Sequence, residues 1–166
     1  NGYAITAILG KESVMQSAQA TFISSTFWTE RIGPTAALKT LEIMEREESW
    51  LRISELGDYL KQSWQKLATC YSLDISINGL RSLPGYIFNS DNHLHYKTLI
   101  SQEMLRYGYL ASTSCYVSTA HSEPIIDQDI DSLDNVFDLI SQCESGRDIR
   151  ELLDGPVCHS GFQRLN

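Results

Sequence analysis

Residues 34–70, PTAALKTLEIMEREESWLRISELGDYLKQSWQKLATC, repeat their apolar side chains at the spacing of an α-helix. Ala37, Leu41 and Met44 lie one helical turn apart, and after the acidic patch at Glu45, Glu47 and Glu48 the stripe resumes through Ile53, Leu56, Leu60, Trp64 and Leu67. A pattern this long predicts one extended helix, bent or broken near Glu48 to Trp50, rather than a compact bundle. It joins two stretches of different character, so the chain divides into residues 1–33, a linking helix over 34–70, and residues 71–166.

On the N-terminal side, Tyr3 to Leu9 reads as a strand rich in Ile, Leu and Tyr, and Glu12 to Ala20 as a short amphipathic helix. Thr21 to Thr26 reads as a second strand. Thr29 suits the cap of the long helix and Pro34 its first turn. The chain opens on a turn that runs straight into a strand, with no initiating Met and no signal-like region. The expectation is that an N-terminal portion of the protein precedes it.

On the C-terminal side, Leu73 to Gly79 alternates like a half-buried strand, Pro84 to Asn89 supplies another, and a helix capped near Asp91 and Asn92 runs to Leu105 and stops at Gly108. Tyr109 to Thr119 predicts a strand pair or one bent strand. Ser122, Glu123 and Pro124 start a helix whose stripe is Ile126, Ile130, Leu133, Phe137 and Ile140. The tail predicts a helical turn or two over Ile149 to Leu153, broken at Asp154, Gly155 and Pro156. The class is α/β, with an α+β unit of β-β-α-β-α order closing the chain.

Composition narrows the function. Of 166 residues, 42% are apolar and 20% charged, as in an ordinary globular domain or part of one. The formal net charge of −8, with no basic cluster, argues against a nucleic-acid or anionic-membrane partner. No apolar run approaches the roughly 18 residues of a membrane helix, so a soluble protein is expected. Cys70, Cys115, Cys143 and Cys158 are scattered without CxxC spacing, which reads as reduced thiols of a cytoplasmic protein and gives no metal site.

Single candidates for chemistry are thin. His93 and His95 lack a third ligand nearby, and Cys158 beside His159 has no orienting partner in sight. His121 stands between a strand and a helix start, where it either supports the turn or serves a site. The carboxylates Glu47, Glu48, Asp129 and Asp131 fall on faces expected to be solvated. Ser24, Ser25 and Thr26 place three hydroxyls between a strand and the long helix. That is good chemistry for a phosphate dianion and equally an ordinary strand end, and no G-x-x-x-x-G-K-[ST] pattern suggests a triphosphate.

Four pieces in order carry a resemblance: Asn1 to Ile8 (NGYAITAI), Ser25-Thr26-Phe27, Thr35 to Glu42 (TAALKTLE), and Ser118 to Glu123 (STAHSE) followed by Ile126-Asp127. They resemble the class III pyridoxal-phosphate-dependent aminotransferases, in the glutamate-1-semialdehyde aminomutase-like branch, over residues 1 to about 142. The resemblance implies the C-terminal part of a fold-type I enzyme, made of the end of the large domain, the linking helix and the small domain. It also implies pyridoxal 5'-phosphate as cofactor and a homodimer with active sites at the subunit interface, acting on a small amino donor and a carbonyl acceptor.

In that family the lysine that holds the cofactor precedes the Asn-Gly-Tyr-like turn, so no catalytic residue is expected in this chain, and the chain alone is expected to be inactive. Thr26, with Ser25 beside it, matches the threonine that reaches the cofactor phosphate of the other subunit. Many members have Gly-Asn-Pro after it, where this chain has Thr29-Glu30-Arg31 behind Trp28. Trp28 and Glu30 are therefore candidate substrate residues, or else simply open the helix and pack the interface. Two rivals stand beside this reading: a non-catalytic dimeric interaction protein on the same fold, and a nucleotide-cofactor reductase without the G-x-G-x-x-G fingerprint.

Overall fold

The structure, a computed structural model, describes residues 2–23 and 29–161, and its contacts divide the chain into Asn1–Ser49 and Trp50–Asn166. In the first unit the short helix α1 (Glu12–Met15) passes directly into a 3-10 turn (Gln16–Ala20), close to the expected Glu12–Ala20 span. The first expected strand is absent: residues 3–10 form no strand. Strand backbone is stable only when its N–H and C=O groups find a neighbour, and among the described residues none pairs with this segment. Of the second, the described residues 21–23 are likewise not strand, and the rest lies outside the described residues.

Helix α2 (Ile32–Glu47) begins where Pro34 falls in the first turn, as read from sequence, but Thr29 does not cap it. It ends at Glu48, whose φ of 45° and ψ of 41° lie in the left-handed region. Helix α3 (Ser49–Cys70) then starts at once. The continuous apolar stripe thus folds as two helices, broken at the acidic patch.

The second unit is built on α3. Leu56, Leu60, Trp64 and Leu67 are buried and form one wall of its core. Strands β1 (Ile75–Gly79) and β2 (Pro84–Phe88) pair antiparallel, with Ile75 opposite Phe88 and Gly79 opposite Pro84. Gly79, at φ 77°, turns the chain so tightly that a Cβ there would lie 2.2 Å from the Leu83 carbonyl oxygen. Helix α4 (His93–Arg106) follows.

Residues 109–117 do not form the expected strand pair. They run as one extended segment along β2, touching it through a Gly85–Ser114 bridge. The Cys115 N–H donates to the Pro84 carbonyl (3.0 Å), and the Thr113 carbonyl accepts from the Tyr86 N–H (3.0 Å). Helix α5 (Glu123–Glu144) crosses behind, burying Ile126, Leu133, Val136, Phe137 and Ile140. A 3-10 turn (Ile149–Glu151) closes the unit.

The core is held by aromatic rings from every layer. Tyr86 lies 4.8 Å from Trp64 and 6.0 Å from Phe137, and Phe88 lies 5.6 Å from Phe137 and 5.3 Å from Tyr96, all between ring centroids. Such tilted and edge-on pairs add to the gain from burying large rings. Among the described residues, no helix is long and apolar enough to cross a membrane.

Candidate functional site

Of the residues singled out for cofactor and substrate, Ser25, Thr26 and Trp28 lie outside the described residues. Glu30 is described, and its carboxylate works on the helix that follows. Its Oε1 accepts from the Ile32 N–H and its Oε2 from the Gly33 N–H at 3.1 Å. These are two of the amides that the first turn of α2 leaves without an intrahelical partner. Gly33 has no room for a side chain, since a Cβ would lie 2.8 Å from the Ala4 carbonyl oxygen. The start of α2 is thus fixed by a carboxylate on one side and by close backbone approach on the other.

The second unit contains a cleft of about 400 Å³ bounded by α3, α5 and residues 109–116. Its walls are apolar where they meet the core, through Leu60, Trp64, Met104, Ile126 and Leu133. Polar groups enter from one side: the hydroxyls of Ser112 and Ser114, the Cys115 thiol, His121 and Asp129.

His121, left open between turn support and function, does at least the first. Its Nδ1 accepts from the Ser118 N–H at 3.0 Å, which fixes the proton of a neutral ring on Nε2. The Arg52 Nη2 donates to the His121 carbonyl at 3.3 Å. The ring is therefore held by Ser118 and the backbone by Arg52, while His121 also lines the cleft.

Asp129 corrects the sequence reading. Asp131, Glu47 and Glu48 are exposed as expected, but Asp129 is half-buried and lines the cleft. The signal was present: Asp129 lies three residues after Ile126 and four before Leu133, on the buried stripe of α5. Burial raises the Asp129 carboxyl above its ordinary value, and His121 partly opposes this. The Cys115 thiol is also raised, by burial and then by the charge of Asp129. Burial thus favours the protonated Cys115 thiol, a weaker nucleophile than the thiolate.

A pH dependence follows. Because the folded state holds the Asp129 proton more tightly than the unfolded chain, Asp129 costs stability above its folded pKa. That cost is relieved as pH falls through the folded value towards the ordinary 3.8. The Asp129→Asn variant is expected to be more stable relative to wild type at pH 7 than at pH 4 in urea unfolding. A difference that does not change with pH would contradict the desolvated carboxylate.

His93 and Cys158 make local contacts. The His93 ring nitrogen Nδ1 lies 3.2 Å from the Ser90 carbonyl, and the Cys158 N–H donates to Thr98 Oγ1 at 3.0 Å. Cys70, Cys115, Cys143 and Cys158 are free thiols. Among the described residues, no group of His, Cys, Asp and Glu side chains could hold a metal ion.

No protein-family model matches the chain. Individual relatives do. It is 35% identical over 100 residues to 3-aminobutyryl-CoA aminotransferase of Cloacimonas acidaminovorans, covering 60% of this chain and 24% of that protein. It is 23% identical over 160 residues to aminopentol aminotransferase of Sphingopyxis macrogoltabida, covering 95% of this chain and 36% of the relative. A glutamate-1-semialdehyde 2,1-aminomutase of Hyperthermus butylicus is 23% identical over 155 residues, covering 82% of this chain and 36% of the relative. Among solved structures, the FumI protein of Sphingopyxis sp. MTA144, in its PLP internal aldimine form, superposes with a TM-score of 0.70. That match covers 86% of this chain and 35% of that one, at 17% identity.

The chain has the fold of the C-terminal part of a pyridoxal-phosphate-dependent aminotransferase. The presence of an aminomutase beside the aminotransferases agrees with the resemblance read from the four sequence pieces. The chain spans between about a quarter and a third of the length of the curated relatives it matches. Sequence motifs pointed to this fold where an isolated reading of strands could not, because among the described residues the first unit contains no sheet.

Proposed function

We propose that this chain is the C-terminal part of a class III pyridoxal-phosphate-dependent aminotransferase or aminomutase that works as a homodimer on small amino donors and carbonyl acceptors. The observation that carries the reading is the shared fold over 86% of the chain, together with aminotransferase relatives that align over up to 95% of it. The first unit supports it too: Leu9 is 90% and Phe22 96% exposed, a surface that further protein of a larger enzyme would cover. The non-catalytic alternative has no observation in its favour.

The donor set at residues 24–26 fits the cofactor's phosphate: three hydroxyls in sequence, with no acidic residue among them. The α2 amides are already used by Glu30, so the phosphate is held by the Ser25 and Thr26 hydroxyls rather than by this helix end. When bound, pyridoxal phosphate supplies an electron sink that lets an amino group leave one carbon and join another. Thr26 then anchors the cofactor of the partner subunit, and Trp28 and the free lone pairs of Glu30 border the substrate. The covalent lysine belongs to the portion N-terminal to Asn1, so these residues alone bind and orient without reacting.

In the full-length protein, Thr26→Ala is expected to weaken cofactor binding by about 1.5–3 kcal/mol, the range for a hydrogen bond to a charged group. Cofactor affinity measured by equilibrium dialysis checks this. An unchanged affinity would remove Thr26 from the phosphate site.

A further inference from the structure

We propose that the cleft between α3, α5 and residues 109–116 binds a small organic cation, an ammonium group carried on an apolar body, with Asp129 as its counter-ion. The site lies wholly within the second unit, and the proposal does not rest on the cofactor reading.

Size and shape come first. A cleft of about 400 Å³ falls within the roughly 300–1,000 Å³ typical of small-molecule sites, and its deep walls are hydrocarbon and aromatic. An apolar body is therefore favoured by removal of its surface from water.

Charge then selects the head group. Asp129 is the one carboxylate on the lining, no Lys or Arg lines it, and His121 is the one basic group there. Among the described residues Asp129 enters no ion pair; the pairs formed involve other carboxylates. Arg52 is no substitute, since its guanidinium is seated on the backbone of His121. A bound anion would meet a like charge in a partly desolvated place, and a neutral apolar ligand would bury the carboxylate further without a partner. A cation answers both costs.

Two further features point the same way. Trp64, Tyr109 and Tyr116 line the cleft, and aromatic walls attract cations through the ring quadrupole. The Tyr86 ring packs 4.8 Å from Trp64 and its buried hydroxyl has no hydrogen-bond partner among the described residues. Among the described residues, the buried core beneath the cleft contains no Lys or Arg to pair with the carboxylate.

The test is calorimetric titration of the full-length protein with benzyltrimethylammonium, against benzyl alcohol as the neutral comparator. A quaternary ammonium has no N–H to condense with a cofactor aldehyde, so the result is independent of any aminotransferase chemistry. The cation is expected to bind at least tenfold more tightly than the alcohol. Asp129→Asn is expected to remove at least tenfold of that affinity while keeping the near-UV circular dichroism of the wild type. Leu110, 97% exposed on the rim, gives a second variant that leaves the core untouched. Leu110→Lys places a like charge at the mouth and is expected to lower cation affinity at least tenfold without weakening the alcohol. No binding of the cation, equal binding of the alcohol, or unchanged cation affinity in a folded Asp129→Asn or in Leu110→Lys would each overturn the proposal. Should Asp129→Asn fail to fold, the Leu110→Lys result decides alone.

Discussion

Phe137→Ala is expected to lower the stability of the second unit by about 3–5 kcal/mol, the cost of emptying a fully buried aromatic site. Phe137 has no exposed surface, and its ring lies among Tyr86 and Phe88 at centroid distances of 6.0 and 5.6 Å. Its neighbours come from α5 and β2, so they cannot collapse into the space without moving a strand away from a helix. The loss combines transferred surface, the cavity left behind and two aromatic contacts. Whole domains hold only about 5–15 kcal/mol of stability, so the variant should be marginal at room temperature. Urea unfolding followed by circular dichroism checks this, with Phe137→Leu as the milder companion. A loss below about 1 kcal/mol would mean that the aromatic cluster is not packed as described.

Gly57→Ala carries the second large effect, and its sign is the informative part. Gly57 lies inside α3, where helix propensity alone makes alanine better by about 1 kcal/mol. The structure predicts the opposite. A Cβ at Gly57 would lie 1.6 Å from the Arg81 carbonyl oxygen and 2.8 Å from its carbon. These are backbone atoms and cannot turn aside like the end of a side chain.

To make room, the turn between β1 and β2 must lift from α3. That strains the bond from Lys61 Nζ to the Gly79 carbonyl (2.8 Å) and the one from Arg81 Nε to Asp58 Oδ2 (2.7 Å). The net change expected is a destabilisation of about 1–3 kcal/mol, in the range of overpacked sites. Thermal or urea unfolding gives the sign directly. A variant more stable than wild type would show that α3 and the turn do not touch at this position.

These two positions mark where the sequence was informative and where it was not. The stripe on α3 and the stripe on α5 were legible because each is long and carries its apolar residues on one face; Leu60, Trp64, Phe137 and Ile140 are all buried as read. The strands at Ile75–Gly79 and Pro84–Phe88 were legible because a turn separates them and their partner is adjacent in sequence. Tyr3 to Leu9 was misread because strand composition does not supply a strand partner. Gly57 passed unnoticed, although a glycine within a helical stripe is itself a mark of close backbone approach.

The sites divide along the same line. Ser25 and Thr26 are proposed from motif order, which needs no knowledge of packing, and lie outside the described residues. Asp129 was assigned to solvent by its charge, although its spacing from Ile126 and Leu133 puts it on the inner face of α5. Glu30 shows a third case: the sequence marks it as unusual, and the structure adds a helix-capping role that no motif contains.

The most direct test of the central claim is the visible absorption spectrum of the full-length protein with added pyridoxal phosphate, taken before and after borohydride reduction and followed by peptide mapping. The result expected is a cofactor band that reduction traps on a lysine N-terminal to Asn1. No band, or a label found on one of the five lysines within these 166 residues, would contradict the account.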